Sequence, residues 1–211
     1  MSQLPGRKGV WLKTLHQWHW ISSALSLMGM LLFALTGVTL NHAGQIEATP
    51  EVTSQRAVLP EALRVGLLQQ STQAAKPSET VPLTPQVHQW LAKTLSIHVD
   101  GRAVEWSADE AYVAMPRPGG DAWVRIGLIE GDVEYELTDR GWVSWLNDLH
   151  KGRHTGVVWS WFIDIFAVCC LVFCITGFLI LKVHASNRPT VWPVLGLGVL
   201  LPALLALLFI H

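Results

Sequence analysis

Charged side chains are scarce in this chain of 211 residues. They make up 15% of it, and acids and bases nearly balance, leaving a net charge of −1. A typical soluble domain is about 25% charged, so the deficit favours a membrane protein. Because there is no basic excess, nothing indicates a nucleic-acid partner, and we expect none. Half of the residues are apolar, and the length leaves room for a few membrane spans plus one modest domain.

Cysteine is also rare, and its spacing excludes several kinds of site. Cys169, Cys170 and Cys174 fall within one apolar run. We interpret them as small packing residues, and neither a disulfide framework nor an iron–sulfur site is indicated. No Cys-x-x-Cys-His is present, which excludes covalently attached c-type haem. The patterns Gly-x-Ser-x-Gly and His-Glu-x-x-His are missing too, so no hydrolytic site is indicated.

Three long apolar runs are present instead, at residues 20–40, 156–181 and 191–210. Each is long enough to cross a bilayer core of about 30 Å as a helix. The first is too long for a signal peptide and lacks a small-x-small cleavage site after it, which predicts an uncleaved anchor. The third contains prolines, which membrane helices tolerate. Six of the eleven tryptophans lie where these runs begin, as in an interfacial aromatic belt: Trp11, Trp18, Trp20, Trp159, Trp161 and Trp192.

Basic residues set the predicted orientation. Residues 1–19 and the hinge 182–190 contain five basic residues and no acid. Under the positive-inside rule, both segments lie in the cytoplasm. Residues 41–155 are then expected outside, and so is the C-terminus at His211. The five basic residues are Arg7, Lys8, Lys13, Lys182 and Arg188.

The outer segment, residues 41–155, has the pattern of a small α+β domain. A helix is predicted over about 60–70, and Thr84-Pro85 opens a second one through Leu95, since proline is favoured at the first helical position. Four runs of alternating, β-branched or aromatic residues follow, separated by turn signals, and predict an antiparallel sheet with one or two helices against it. The runs are 103–107, 111–115, 122–128 and 133–137. Trp90, Trp106 and Trp123 are predicted core aromatics, and His88 and His98 ordinary domain histidines.

Six histidines bracket the first two spans, and the spans resemble each other. Residues 31–37 read LLFALTG and residues 171–177 read LVFCITG. Because the two helices would cross the membrane in opposite directions, they form an inverted repeat in miniature. The histidines are His16 and His19 before the first span, His42 after it, His150 and His154 before the second, and His184 after it.

A pseudo-two-fold axis would place the start of one helix beside the end of the other. Two clusters follow, one joining His16 and/or His19 with His184, the other joining His42 with His150 and/or His154. Facing imidazoles between helices can serve as axial ligands of a b-type haem, which needs no covalent motif. The six histidines are therefore the predicted ligands of two b haems.

Distance and neighbouring residues qualify this hypothesis. His16 and His42 are 26 residues apart, about 39 Å of helix, so rapid electron exchange would need aromatic residues, a third group or a partner between them. Gly29, Gly37 and Gly177 either make room for a flat macrocycle or allow tight helix packing. Asp164, a carboxylate within the second span, either pairs with a histidine or arginine near the outer surface or extends to the headgroups from a helix end.

The starts of the two spans, LHQWHW at residues 15–20 and DLHKGRH at residues 148–154, complete a pattern with the two Thr-Gly segments. It resembles the PepSY-associated transmembrane helix proteins of bacteria, over both spans and the intervening sheet region. Some larger relatives are inner-membrane reductases for siderophore iron that carry b haems held by histidines at the two membrane faces. The resemblance implies a haem-dependent oxidoreductase of ferric-reductase type in the bacterial inner membrane, with a periplasmic PepSY-like domain, an iron complex as substrate and an electron donor.

The chain also departs from those relatives. It has three predicted spans where they tend to have four or more, and its soluble part is smaller. A missing helix implies a missing wall of a haem pocket, or a homodimer or partner membrane subunit that supplies it. PepSY domains also occur in inhibitory propeptides of secreted peptidases. The alternative is therefore a non-enzymatic anchor whose domain binds or regulates a partner. Metal transport is disfavoured because the spans lack the polar residues of a translocation path.

Overall fold

The computed structural model describes residues 7–47, 49–74 and 81–210. Predictions that concern residues 1–6, 48, 75–80 or His211 lie outside these ranges. The chain divides into two compact units. We call Met1–Phe33 with Trp161–His211 the helical unit, and Ala34–Ser160 the domain unit.

Six helices and five strands make up the described residues. In chain order they are α1 (Arg7–Asn41), β1 (Glu51–Val58), α2 (Glu61–Ala74), α3 (Pro85–Leu95), β2 (Glu105–Trp106), β3 (Glu110–Ala114), β4 (Gly120–Gly127), β5 (Asp132–Asp139), α4 (Gly141–Lys151), α5 (Gly156–His184) and α6 (Val191–Phe209), with a short 3-10 turn at Ala185–Asn187.

Three of these helices are long and apolar enough to cross a membrane, which confirms the three predicted spans. They are α1 from Gly9 onward, α5 and α6. Helix α1 begins well before the apolar run at residue 20, so Trp11 and His16 lie on the helix rather than ahead of it. Most of their apolar side chains are exposed, as expected for surfaces that lipid covers.

The domain unit is a five-stranded antiparallel sheet in the order β1-β5-β4-β3-β2. One face carries alternating buried side chains, among them Val113, Val124 and Val133. Leu67 of α2 and Leu91 of α3 belong to the same buried cluster, so both helices pack on this face. Each fully buried aliphatic side chain contributes about 1.5–3 kcal/mol relative to exposure, so this cluster is the stabilising core. The predicted α+β domain is confirmed.

Thr84 occupies the N-cap position of α3 and Pro85 is the first residue of the helix, as the sequence predicts, although the Thr84 side chain makes no cap hydrogen bond. Trp90 and Trp106 pack against the core, as predicted. The prediction for Trp123 is wrong, because side chains alternate along β4 and Trp123 lies on the face opposite the buried Val124, where it stacks on Tyr112 with ring centroids 6.1 Å apart. His88 contacts Asp100 through its Nδ1 at 2.6 Å and is an ordinary domain histidine, and His98 is exposed.

The second face of the sheet is polar and held by ion pairs. Arg56 of β1 donates to Glu134 of β5 at 2.7 Å, and Arg125 of β4 donates to Asp132 at 2.6 Å. The hydrogen bond from Arg56 and the charges of Arg56 and Arg125 hold the pKa of Glu134 below its ordinary value. Burial, followed by the neighbouring acids Asp121, Glu105 and Glu136, raises the pKa of Tyr112.

Candidate functional site

The helical unit pairs the first half of α1 with most of α5 in antiparallel register. His16 lies beside His184, His19 beside Thr176, and the Gly29 backbone beside the Phe166 ring. Residue numbers rise along α1 as their partners fall along α5. Within this unit, the geometry agrees with the inverted arrangement that the sequence repeat predicts.

His16 and His184 are neighbouring rings in edge-on contact at one end of this helix pair. Their ring centroids are 6.3 Å apart and their planes cross at 89°. Each Nδ1 lies near a carbonyl oxygen of its own helix, 2.8 Å from Leu12 and 2.9 Å from Ile180. A carbonyl only accepts, so each Nδ1 carries the hydrogen and, in the neutral ring, Nε2 keeps its lone pair. Metal-binding histidines show this same arrangement, with the second nitrogen donating to an oriented acceptor.

The spacing of these two rings fits an iron between them. Two imidazoles that bind one metal from opposite sides, at about 2.0 Å per metal–nitrogen bond, have centroids roughly 6 Å apart. Among the described residues, no group of three or more His, Cys, Asp or Glu side chains is placed to hold a metal ion. A two-histidine site suits haem iron, because the macrocycle supplies the remaining nitrogen ligands.

His19 is held differently from His16. The Thr176 hydroxyl donates to the Val172 carbonyl at 2.7 Å, so its oxygen accepts from His19 Nδ1 at 3.0 Å. The imidazole also stacks on Phe173, with centroids 4.8 Å apart. His19 is therefore packed against α5, and His16 is the histidine that meets His184. Of the predicted pair, the structure therefore places His16 next to His184.

In the domain unit, near the end of α1, His150 of α4 contacts a threonine hydroxyl in the same way as His19 does in the helical unit. Its Nδ1 lies 2.7 Å from the Thr36 hydroxyl. His42, in the turn directly after α1, donates from Nδ1 to the Val38 carbonyl of that helix at 2.9 Å. His154 is exposed and has a left-handed backbone, with φ of 58°. The predicted ligation by His42, His150 and His154 stays a prediction.

The three glycines of the repeat are packing positions. A methyl group at Gly29 would overlap the Phe166 ring, and one at Gly177 would lie 3.1 Å from His19 Cε1. At Gly37 the nearest atom, 3.6 Å away, is His150 Cε1. The room that each glycine leaves is taken by a ring of the neighbouring helix, so of the two readings that the sequence allowed, close packing is the one observed.

The sequence reading missed the role of Asp148. This carboxylate is 3% exposed. Its Oδ2 accepts the Gly119 backbone N–H at 2.9 Å, and its Oδ1 accepts from Arg153 at 2.9 and 2.7 Å. Asp148 thus joins the β3–β4 loop, α4 and the segment that enters α5. Asp148 belongs to the DLHKGRH segment, but the repeat pattern draws attention only to the histidines of that segment.

Two further predicted features lie on α5. Asp164 is exposed, and no histidine or arginine among the described residues pairs with it. Cys169, Cys170 and Cys174 are free thiols. Neither feature joins the histidines into a larger constellation, so the candidate site consists of the histidines and the threonines that orient two of them.

A cavity of about 400 Å³ opens in the domain unit just beyond His42. It is lined by residues that follow α1, including Ala43 and Glu47, and by the start of α4, including Trp142 and Ser144, with Arg140 between β5 and α4. Glu47 is the acidic residue of this lining and Arg140 the basic one, and the other lining residues are apolar or uncharged. The cavity is large enough for a small ligand.

The fold and the site together define a membrane protein in which an α+β domain lies between two long helices in the chain, with histidines at or near the ends of these helices. The chain belongs to the PepSY_TM-like family, whose model matches residues 10–211. No curated protein and no solved structure shows significant similarity to it.

Proposed function

We propose that the chain is a b-type haem protein of the bacterial inner membrane that transfers electrons, with ferric or siderophore-iron reduction as its activity, alone or as a subunit. The observation that carries the proposal is the adjacent imidazole pair His16 and His184, whose ring centroids are 6.3 Å apart. Family membership supports a membrane protein of the PepSY type, and the histidine geometry supports the cofactor.

The residues have distinct tasks in this proposal. His16 and His184 would hold the iron through Nε2, while the Leu12 and Ile180 carbonyls fix ring orientation through Nδ1. Haem, when bound, supplies a one-electron couple. Both histidines are exposed, so a group held there is open to a donor or a partner. His19, fixed on Thr176, braces the helix pair one turn away.

The orientation is part of the proposal. Basic residues flank the His16 end, which the positive-inside rule assigns to the cytoplasm. Residues 41–155 and the C-terminus then lie in the periplasm. Electrons would enter at the His16 end and leave at the His42 end, where His42, His150 and His154 are the proposed ligands of a second haem. The cavity beyond His42 offers a place for an iron complex. The long gap between the ends calls for a partner subunit or a homodimer.

The test is spectroscopic. The full chain, expressed with ample haem and purified in detergent, is expected to give a reduced-minus-oxidised b-type spectrum, quantified as the pyridine haemochrome. His16→Ala and His184→Ala should each abolish the haem at that end. His98→Ala, an exposed domain histidine, is the matched control and should leave haem content unchanged. An absent Soret band in the wild type refutes the proposal, and loss of half the haem in His42→Ala would support the second site.

One observation favours the alternative of a non-enzymatic anchor that binds a partner. Strand β1 lies at the edge of the sheet, and Val52 on it is 56% exposed. Exposed edges can pair with a strand of another protein. A photo-crosslinking side chain at Val52 of the full chain should then capture a partner that the same group at Ile129, 65% exposed, does not. Equal capture at both positions would count against this function.

A further inference from the structure

Helix α4 has its polar and apolar faces reversed. Its tryptophans point outward: Trp142 is 71% exposed and Trp145 46%. Its buried residues are polar: Asn147 is 8% exposed and Asp148 3%. A surface helix in water does the opposite, turning apolar residues inward and polar ones outward. The outward side, which we call the Trp face, therefore calls for an environment other than bulk water.

The orientation of α4 is fixed by its polar side. Asn147 Oδ1 accepts the Thr39 hydroxyl at 2.9 Å, and Asp148 accepts the Gly119 N–H and the Arg153 guanidinium. The Trp145 backbone sits so close to Gly119 that a methyl group there would lie 2.7 Å from its Cα. The helix cannot roll to bury its tryptophans without breaking these contacts, so the Trp face is a built feature of the domain unit.

The C-terminal end of α4 is attached to the start of a membrane span. Only residues 152–155 separate it from α5. The Trp159 indole of α5 donates to the Leu149 carbonyl of α4 at 2.9 Å. The first residues of α5 are apolar and open, with Val157 72% and Val158 82% exposed. The apolar surface of the span thus begins within about one helical turn of α4.

We propose that the Trp face of α4, formed by Trp142 and Trp145, lies in the interfacial layer of the lipid bilayer and anchors the domain unit to the membrane surface. Tryptophan is the residue enriched at this depth, because its ring is apolar and its N–H remains hydrogen-bonded. Exposed cations, Arg140 and Lys151, flank the helix where lipid phosphates would lie. Continuity with the lipid-facing start of α5 favours a bilayer over a protein partner.

The test uses the full chain in nanodiscs of phosphatidylethanolamine and phosphatidylglycerol, with its three cysteines replaced by alanine. Nitroxide labels are placed singly at Trp142→Cys and Trp145→Cys, with Ile129→Cys as the matched control, since Ile129 is an exposed apolar residue in the β4–β5 turn. Collisions with oxygen, which partitions into lipid, are compared with collisions with a water-soluble nickel chelate. Labels at 142 and 145 should favour oxygen several-fold more than the label at 129.

Two results would overturn the proposal. If labels at 142 and 145 match the label at 129, the Trp face is in water. If they are shielded from both oxygen and nickel, a protein covers it, either a second copy or a partner. A label-free measurement guards against disturbance by the label. Brominated lipid should quench part of the tryptophan fluorescence of the wild type, and the double variant Trp142→Phe/Trp145→Phe should lose emission from that quenched part. If the emission that the double variant loses is not quenched in the wild type, lipid contact is contradicted.

Discussion

Asp148 is the residue whose removal should most disturb the domain unit. In Asp148→Ala, the buried Gly119 N–H loses its acceptor, which costs about 1–3 kcal/mol. The Arg153 contacts are lost as well, but that side chain is 54% exposed, so water replaces part of them. We therefore expect the free energy of unfolding to fall by about 2–4 kcal/mol in total. This range lies somewhat lower than the roughly 3–5 kcal/mol for breaking a fully buried ion pair.

The assay is thermal unfolding of the full chain in detergent, followed by near-ultraviolet circular dichroism. At about 4 °C per kcal/mol for a domain of this size, the unfolding temperature should fall by roughly 8–16 °C. Hydrogen exchange of the peptide that contains Gly119 should accelerate at the same time. Glu130→Ala, at an exposed acid, is the control and should change little. An Asp148→Ala protein that unfolds within about 2 °C of the wild type would refute the claim that this carboxylate holds the loop and α4 together.

Two further substitutions test the packing and the electrostatics. Gly29→Ala forces the Phe166 ring to move and should cost about 1–3 kcal/mol in resistance to denaturing detergent, whereas Gly37→Ala meets only an ordinary contact at 3.6 Å and should be tolerated. Glu134→Gln should destabilise the domain to urea at pH 7, because the Arg56 hydrogen bond keeps the pKa of the wild-type carboxyl low. That stabilisation is present above about pH 4.3, the ordinary glutamate value, and is lost as pH falls through the lowered pKa of the folded state, so the difference should shrink on acidification. A difference independent of pH would contradict this reasoning.

The parts that sequence reasoning predicted are those with a strong periodic or compositional signal. The spans follow from runs of apolar residues, and β3 to β5 from alternation that places Val113, Val124 and Val133 on one buried face. Helix α3 follows from Thr84-Pro85. In each case the residues that define the pattern are also the residues that make the contacts, so local sequence and tertiary packing agree.

Strand β1 and helix α4 were missed for physical reasons. Strand β1 is an edge strand with the sequence EVTSQRAV, mostly exposed, so no buried alternation marks it. The N-cap residue of α4, Arg140, makes no side-chain cap hydrogen bond, and the buried residues of the helix are the polar Asn147 and Asp148. A pattern search that expects apolar residues inside reads such a segment as irregular. Its reversed faces become meaningful only once the hydrogen bonds of Asn147 and Asp148 are known.

The sequence repeat specified the site only in part, because it marked positions without assigning tasks. Each Thr-Gly pair of the repeat receives one imidazole: Thr36 and Gly37 meet His150, and Thr176 and Gly177 meet His19. These two histidines are equivalent in their contacts, although one lies on α1 and the other on α4. Their rings are occupied in joining helices. His16, His42 and His184 instead bond through Nδ1 to the carbonyl four residues earlier in the chain and are exposed.

This difference separates two roles that the sequence pattern had merged. A histidine that bonds to its own helix can present Nε2 to a group from outside without loosening the helix pair. A histidine held on a threonine of another helix would have to give up packing to do the same. We therefore expect any iron at the His16 end to be bound by His16 and His184, with His19 as a brace. At the His42 end, His42 has the same kind of hydrogen bond as His16, which makes it the better candidate there than His150.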